Sequence, residues 1–161
     1  MLTNQQEFRN ANSASVIYRG RRCSSTRRVD VEYGACRSVQ IFSGDLLTLI
    51  NTDGGGAAWL VVLDSGSNST DPGLLGLNAN PETPLNYLGF DDRELSAKLS
   101  ARGLNLSDCN VCLIFDENTL PQERFVFQAK SACEVFVIIP VKHDGLETGA
   151  GGHMALEVQS Q

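Results

Sequence analysis

The chain has 161 residues, of which 42% are hydrophobic and 15 are Gly, as expected for one compact domain rather than a disordered chain. Its net charge of −6 is uneven: residues 1–40 hold seven Arg and three acidic residues, whereas residues 41–161 hold sixteen acidic residues and six Lys or Arg. The acidic bulk argues against broad binding to nucleic acid or anionic membranes. No apolar run approaches the roughly 20 residues that span a bilayer, and the N-terminus lacks a secretory signal, so we expect a cytoplasmic protein.

The N-terminal region is predicted to differ from the rest of the chain. Residues 1–28 are polar and end in RGRRCSSTRR, so we expect a flexible, partly basic segment followed by a single β-domain over 29–161. The basic stretch suits a solvated loop or an edge strand, where charge discourages aggregation. Its alternative role is docking to an acidic partner surface or a phosphate. Aromatic residues interleave with the basic ones only where Tyr18 precedes Arg19, so nucleic acid is the least favoured partner.

Strand patterns begin at Val29, where apolar and polar residues alternate. Two apolar runs, at 46–50 and 57–63, flank the connector Asn-Thr-Asp-Gly-Gly-Gly, whose residues tolerate tight turns. This pattern predicts two strands joined by a hairpin turn. The triple glycine at 54–56 could also cradle a phosphate, but no helix follows it to add its dipole, so the turn is the favoured interpretation.

A single helix is predicted at about 92–102. Asp91 or Asp92 suits its N-cap, Leu95 and Leu99 fall on one face, and Gly103 suits the position just after its end. Further strands are predicted after the helix at 111–115, 124–129, 134–141 and 154–158. Eight or nine strands with one short helix and no repeat predict a mostly β fold, a small Greek-key barrel or sandwich.

Five cysteines without an export signal favour reduced thiols over disulfides. Cys109 and Cys112 have the CxxC spacing of zinc knuckles and redox motifs, and Cys133, His143 and His153 are the nearest further candidates for zinc ligands. The pair enters a predicted strand, however, and alternation sends residues i and i+3 to opposite faces. This favours buried structural thiols over a zinc site, and a zinc site over redox chemistry.

Four residues are candidates for binding a small ligand. Both His143 and His153 lie in Gly-flanked, loop-like sequence, where functional residues are often displayed, although solvated imidazoles are the simpler interpretation. Trp59 is expected in the core, with stacking on a ligand as its alternative role. Asp53 precedes the triple glycine and completes the set. The sequence contains no GxSxG or HExxH motif and no telling pair of carboxylates, so it predicts no catalytic residue.

A family resemblance follows from motifs spread over residues 30–160. The stretch GDLLTLINTDGG resembles the G-D-x-L-x-x-x-x-x-E-G-G-Q strand pair of the urea-carboxylase-associated family. Further markers in the same order are GLLGL at 73–77, ARGLNL at 101–106, VCLIF at 111–115 and the stretch at 125–141 with its Ile-Ile-Pro end. Together they look like the N-terminal domain that precedes a urea-carboxylase-associated domain and a folate-binding aminomethyltransferase domain in proteins of the trimethylamine-N-oxide demethylase type.

The resemblance implies a non-catalytic β-domain that belongs to, or assembles with, a folate-dependent demethylase or aminomethyltransferase. Tetrahydrofolate is implied only with the downstream domain, which these residues do not include, and Gly56 stands where the family has Gln. We expect other domains or subunits as partners, reached through an apolar face, or else a homo-oligomer. The alternative is a free-standing β-barrel that binds a small ligand, with zinc held by the cysteines and one histidine.

Overall fold

The computed structural model describes residues 25–79, 90–140 and 153–161, and shows a small β-sandwich. Its eight strands are β1 Thr26–Glu32, β2 Cys36–Ile41, β3 Leu46–Asn51, β4 Ala58–Asp64, β5 Val111–Ile114, β6 Glu123–Gln128, β7 Cys133–Ile138 and β8 His153–Gln159. One α-helix, α1, covers Arg93–Ser100, and 3-10 turns cover Pro72–Leu75 and Leu106–Asp108. The mostly β prediction is confirmed, with the strands arranged as a sandwich.

The strand order follows from one long folded hairpin. The first antiparallel sheet has the order β1-β8-β3-β6, and the second has the order β2-β7-β4-β5. The pairs β1–β8, β2–β7, β3–β6 and β4–β5 are those that form when the chain folds back on itself once, between β4 and β5, so that its first four strands pair with its last four. The pairs β4–β7 and β3–β8 then close the two sheets. This is a jelly roll, one of the Greek-key sandwiches.

The predicted hairpin between the two apolar runs is wrong. Strands β3 and β4 form as predicted, but they belong to different sheets. The connector at 52–57 is therefore an arch that carries the chain from one sheet to the other. Each of the two strands has a neighbour on both sides, and all of these neighbours come from later in the sequence. Pairing with distant strands therefore replaces pairing across the arch.

The core has two parts, one between the sheets and one beneath α1. Inward residues of all eight strands fill the space between the sheets, among them Leu47, Leu60 and Leu156, all with no exposed surface. On the outer face of the second sheet, Leu95 and Leu99 of α1 pack with a separate buried cluster. A buried helical residue every fourth position is the pattern that predicted this helix.

The residues expected at the ends of α1 lie there. Asp92 occupies the N-cap position, although its side chain makes no cap hydrogen bond, and Gly103 follows the helix with a φ of +73°. The neighbouring Asp91 accepts hydrogen bonds from the backbone and the guanidinium of Arg93, and this partner lowers the pKa of Asp91 to about 2. The helix is shorter than the predicted 92–102, because residues after Ser100 turn towards Gly103.

Part of the predicted N-terminal segment is folded. Strand β1 begins at Thr26, so Arg27 and Arg28 lie in an edge strand, whereas the earlier part of the basic stretch and the Gly-rich loop at 145–152 lie outside the described residues. In the described ranges we find no helix with the length and apolar character needed to cross a membrane.

Candidate functional site

The structure brings together two of the predicted ligand residues, Asp53 and His153. Asp53 lies in the arch after β3, and His153 is the first residue of β8, which pairs with β3. The backbone N–H of Thr52 donates to the carbonyl oxygen of His153, which fixes the two segments side by side. The Asp53 Oδ2 and His153 Nδ1 atoms are 3.0 Å apart. Because Nδ1 is occupied by the carboxylate, Nε2 is the ring nitrogen that remains for a ligand.

The arch beside this pair is held in place by Asn51. This side chain is fully buried, its Oδ1 accepts the N–H of Gly54 at 2.9 Å, and its Nδ2 donates to the carbonyl of Gly55 at 2.7 Å. The N–H of Gly55 donates to the carbonyl of Thr119. Both glycine N–H groups are thus used inside the protein. The phosphate-cradle interpretation of the triple glycine loses its support, because such a cradle needs these donors to face the ligand.

The glycines of the arch are required by backbone geometry and space. Gly54, Gly55 and Gly56 all have φ between +66° and +79°, a region that other residues rarely adopt. A Cβ atom at Gly54 would lie 2.8 Å from the ring of Pro121, just before β6. The arch is therefore held in close contact with Pro121, at the start of β6.

The other two predicted ligand residues do not join this pair. Trp59 lies in β4 of the second sheet, is 8% exposed and packs in the cluster beneath α1. The preferred role as a core aromatic fits this position, while a ligand would have to displace packed side chains to reach the ring. His143 lies outside the described residues.

The predicted zinc ligands lie in different parts of the core. Cys112 and Cys133 belong to the core between the sheets, whereas Cys109 packs against the cluster beneath α1. The Cys112 thiol donates to the carbonyl of Asn78 at 3.0 Å. Across residues 25–79, 90–140 and 153–161, no three His, Cys, Asp or Glu side chains form a group that could hold a metal ion. A zinc site involving residues outside these ranges stays a prediction.

Burial raises the pKa of all four described thiols. It raises the pKa of Cys36 to about 12 and that of Cys109, Cys112 and Cys133 to about 11. All four are free thiols. Because the thiolate is both the nucleophile and the metal ligand, thiols that stay protonated at neutral pH fit a structural role.

A surface that the sequence did not reveal lies at strand β6. Three large apolar side chains on or just before this strand are exposed, Leu120 by 69%, Phe125 by 43% and Val126 by 57%. We call these three residues the β6 surface. Among the described residues, β6 pairs only with β3, so its other side is an edge of the first sheet. The run Phe-Val-Phe, without Pro or Lys, is the sequence signal for such an edge.

Aromatic packing supports the β6 surface from the inside. The ring of Phe125 lies 5.3 Å from that of Phe115, just after β5, and 6.3 Å from that of Phe127. Phe115 has a φ of +68°, a strained conformation for a side chain of this size. Phe115 and Phe127 are buried, so Phe125 is the outermost ring of a packed cluster. This exposed ring is therefore supported by buried neighbours rather than standing alone on the surface.

Comparison with known proteins does not identify a family for this chain. No family model, no curated protein and no solved structure matches the chain.

Proposed function

We propose that this chain is a non-catalytic β-domain that works by binding another protein surface. The observation that carries the proposal is the β6 surface, where Leu120, Phe125 and Val126 are exposed beside an open sheet edge. Exposed apolar groups at an edge strand are a liability for a protein that works alone, because the edge can pair with other chains. A partner that covers this edge turns the liability into a binding site.

The chemistry of the described residues supports binding rather than catalysis. The thiols beneath α1 and between the sheets are protonated at neutral pH, and Trp59 is buried. The Asp53–His153 pair lies at the surface, with the two side chains 39% and 58% exposed. A solvated pair of this kind lacks the water-excluding walls that make catalytic groups effective.

The resemblance to proteins of the trimethylamine-N-oxide demethylase type suggests the identity of the wider assembly. In that proposal the chain belongs to, or associates with, a folate-linked demethylase or aminomethyltransferase in the cytoplasm. Tetrahydrofolate would then be bound by the associated enzyme and not by this domain. Such an association would use Leu120, the most exposed residue of the β6 surface.

A binding experiment with purified proteins tests this function. The chain is mixed with a purified folate-binding aminomethyltransferase encoded by the same genome, and the mass of the complex is measured by light scattering after gel filtration. We expect a complex that is lost in Leu120→Ser, which makes the β6 surface more polar. The matched control is Asp30→Ser on β1, the opposite edge of the same sheet, which should leave the complex intact. Wild-type protein that forms no complex would overturn this assignment of the partner.

A second candidate function, binding of a small ligand or metal ion, is favoured by the 3.0 Å contact between Asp53 and His153. A carboxylate on Nδ1 orients the imidazole so that Nε2 can bind a metal. Titration of the chain with Zn²⁺ while the histidine resonances are followed by NMR tests this function. We expect the shift at His153 to disappear in Asp53→Asn and to persist in the control variant His143→Gln. An unchanged His153 resonance would exclude zinc as the ligand.

A further inference from the structure

We propose that the partner at the β6 edge is a second copy of this chain, with the two β6 strands paired antiparallel around a two-fold axis at Val126. This inference rests on the proposed function, that the β6 surface binds protein. The second copy covers Phe125 and Val126 of that surface, whereas Leu120, which precedes the strand, stays available to the folate-linked enzyme. The two sheets β1-β8-β3-β6 would join into one continuous eight-stranded sheet.

Backbone direction along β6 supports the pairing. Ala129, just after the strand, donates its N–H to the carbonyl of Asp45 and accepts the N–H of Gly44, so both of its polar groups face the β3 side. Alternate residues of a strand turn these groups to the same side. The backbone N–H and C=O groups of Phe127 and Phe125 therefore also face β3. Those of Arg124, Val126 and Gln128 face the open edge.

The axis at Val126 uses all of these edge groups. In an antiparallel pair centred on this residue, Val126 lies opposite Val126 of the second copy, and Arg124 lies opposite Gln128. Each of these pairs exchanges two backbone hydrogen bonds, because both residues present N–H and C=O towards the partner. A two-fold pairing centred on Phe125 would pair Arg124 with Val126 but place Gln128 opposite Gln122, which lies outside the strand and donates its N–H to the carbonyl of Asn51.

Side-chain chemistry fits the same register. No like charges oppose each other, because Arg124 faces Gln128 and Glu123 faces Ala129. On the other face of the strand, Phe125 lies opposite Phe127 of the second copy, and aromatic cross-strand pairs stabilise a sheet. Both exposed β6 side chains, Phe125 and Val126, would thus be covered by the same contact.

The other edge of this sheet is unsuited to the same pairing. Strand β1 carries Arg28 and Asp30 near its centre, and charges at these positions oppose edge pairing. The guanidinium of Arg27 donates to the carbonyl oxygen of Gln40 in β2, which ties this edge to the neighbouring sheet. The choice of β6 therefore follows from charge as well as from exposure.

Analytical ultracentrifugation of the purified chain tests the pairing. Wild type should sediment as a dimer, and Val126→Pro should sediment as a monomer, with a dissociation constant raised more than about a hundredfold, because proline removes a donor at the open edge and blocks the pair. Proline at this position costs no bond to β3, since edge strands accept it where the N–H faces outwards. Asp30→Pro is the matched control, because Asp30 occupies the corresponding outward position on β1, and this variant should stay dimeric.

A second variant keeps the test valid if proline disturbs folding. Val126→Arg retains the backbone and places two like charges on the axis, so it should be monomeric while its circular dichroism matches that of wild type. A monomeric wild type, or dimers of all variants, would overturn the pairing. A wild type that is monomeric alone yet binds the aminomethyltransferase, with that complex lost in Leu120→Ser, would overturn the dimer while leaving the proposed function standing.

Discussion

The two edges of the first sheet differ in how they meet solvent. Strand β1, TRRVDVE, carries Arg27, Arg28, Asp30 and Glu32, so charge runs along its whole length. Strand β6, ERFVFQ, carries charge only at its first two residues and continues as Phe-Val-Phe. Both strands pair with one neighbour among the described residues and send residues into the same core.

The difference between the two edges shows the effect of charged side chains on an edge strand. Arg28 lies 3.2 Å from Asp30 and 3.1 Å from Glu157, but these groups are largely solvated, and exposed ion pairs contribute little to stability. Their main effect is to keep a second strand from docking, because pairing would strip water from the charges. Strand β6 lacks this protection, and we infer that another protein surface covers its edge.

Truncation of the β6 aromatics should show that Phe127 is buried more deeply than Phe125, on the same face of the strand. Phe127→Ala should lower the free energy of unfolding by about 4 kcal/mol, because Phe127 is buried between the sheets and its removal leaves a cavity. Phe125→Ala should cost about 1–2 kcal/mol, since this ring is 43% exposed. Urea denaturation measures both values. Equal losses for the two variants would contradict this difference in burial.

Substitutions in the arch should show how firmly the start of β6 is held. Gly54→Ala should cost about 3 kcal/mol, because its Cβ would lie 2.8 Å from Pro121 and its φ is +79°. Gly55→Ala should cost about 1 kcal/mol, since its φ is +66° but the nearest atom is 3.8 Å away. Thermal melting of the two variants provides the comparison. A larger loss for Gly55→Ala would mean that the arch does not support β6 as described.

Alkaline pH should destabilise the protein through its thiols, none of which lies on β1 or β6. Burial raises the pKa of Cys36 from 9.0 to about 12, so above pH 9 the unfolded chain loses this proton while the folded protein keeps it. Stability is therefore intact below pH 9 and falls between pH 9 and 12, by about 1 kcal/mol per pH unit from this thiol. Urea denaturation in reductant at pH 8 and pH 10 measures the loss. Cys36→Ala should show a smaller pH dependence, and an equal one would contradict this account.

Removal of the charges from β1 should have the smallest effect on folding but a clear effect on association. The double variant Arg28→Val, Asp30→Val should change the free energy of unfolding by less than about 1 kcal/mol, because these ion pairs are exposed. It should nevertheless form larger species than wild type in ultracentrifugation, since its edge then resembles that of β6. Unchanged sedimentation would show that charge is not what protects β1.

Much of the fold could be predicted because strands and helices follow local patterns. The apolar run that becomes β3 and the Leu95–Leu99 spacing of α1 each identify an element from a few neighbouring residues. Strand order could not be predicted, because it depends on pairs such as β1 with β8, which are distant in sequence. The predicted hairpin at 52–57 failed for this reason, since proximity along the chain suggested a pair that the sheets do not contain.

The candidate sites show the same limit. Asp53 and His153 were predicted separately, and only the pairing of β8 with β3 brings them to 3.0 Å. Phe125 and Phe127 share one face of β6, as alternation along a strand requires, and their rings are stacked. The exposure of Phe125 could not be predicted, because it arises from the position of β6 at the edge of the sheet.

Hydrogen exchange as a function of protein concentration tests the central claim most directly. The amides of Arg124, Val126 and Gln128 face the open edge of β6, and those of Arg28 and Asp30 occupy the corresponding positions on β1. Pairing of two β6 strands predicts that exchange at the first three slows as concentration rises, while exchange at the β1 amides stays constant. Exchange that is independent of concentration at both edges, or that slows at β1 alone, would contradict the account.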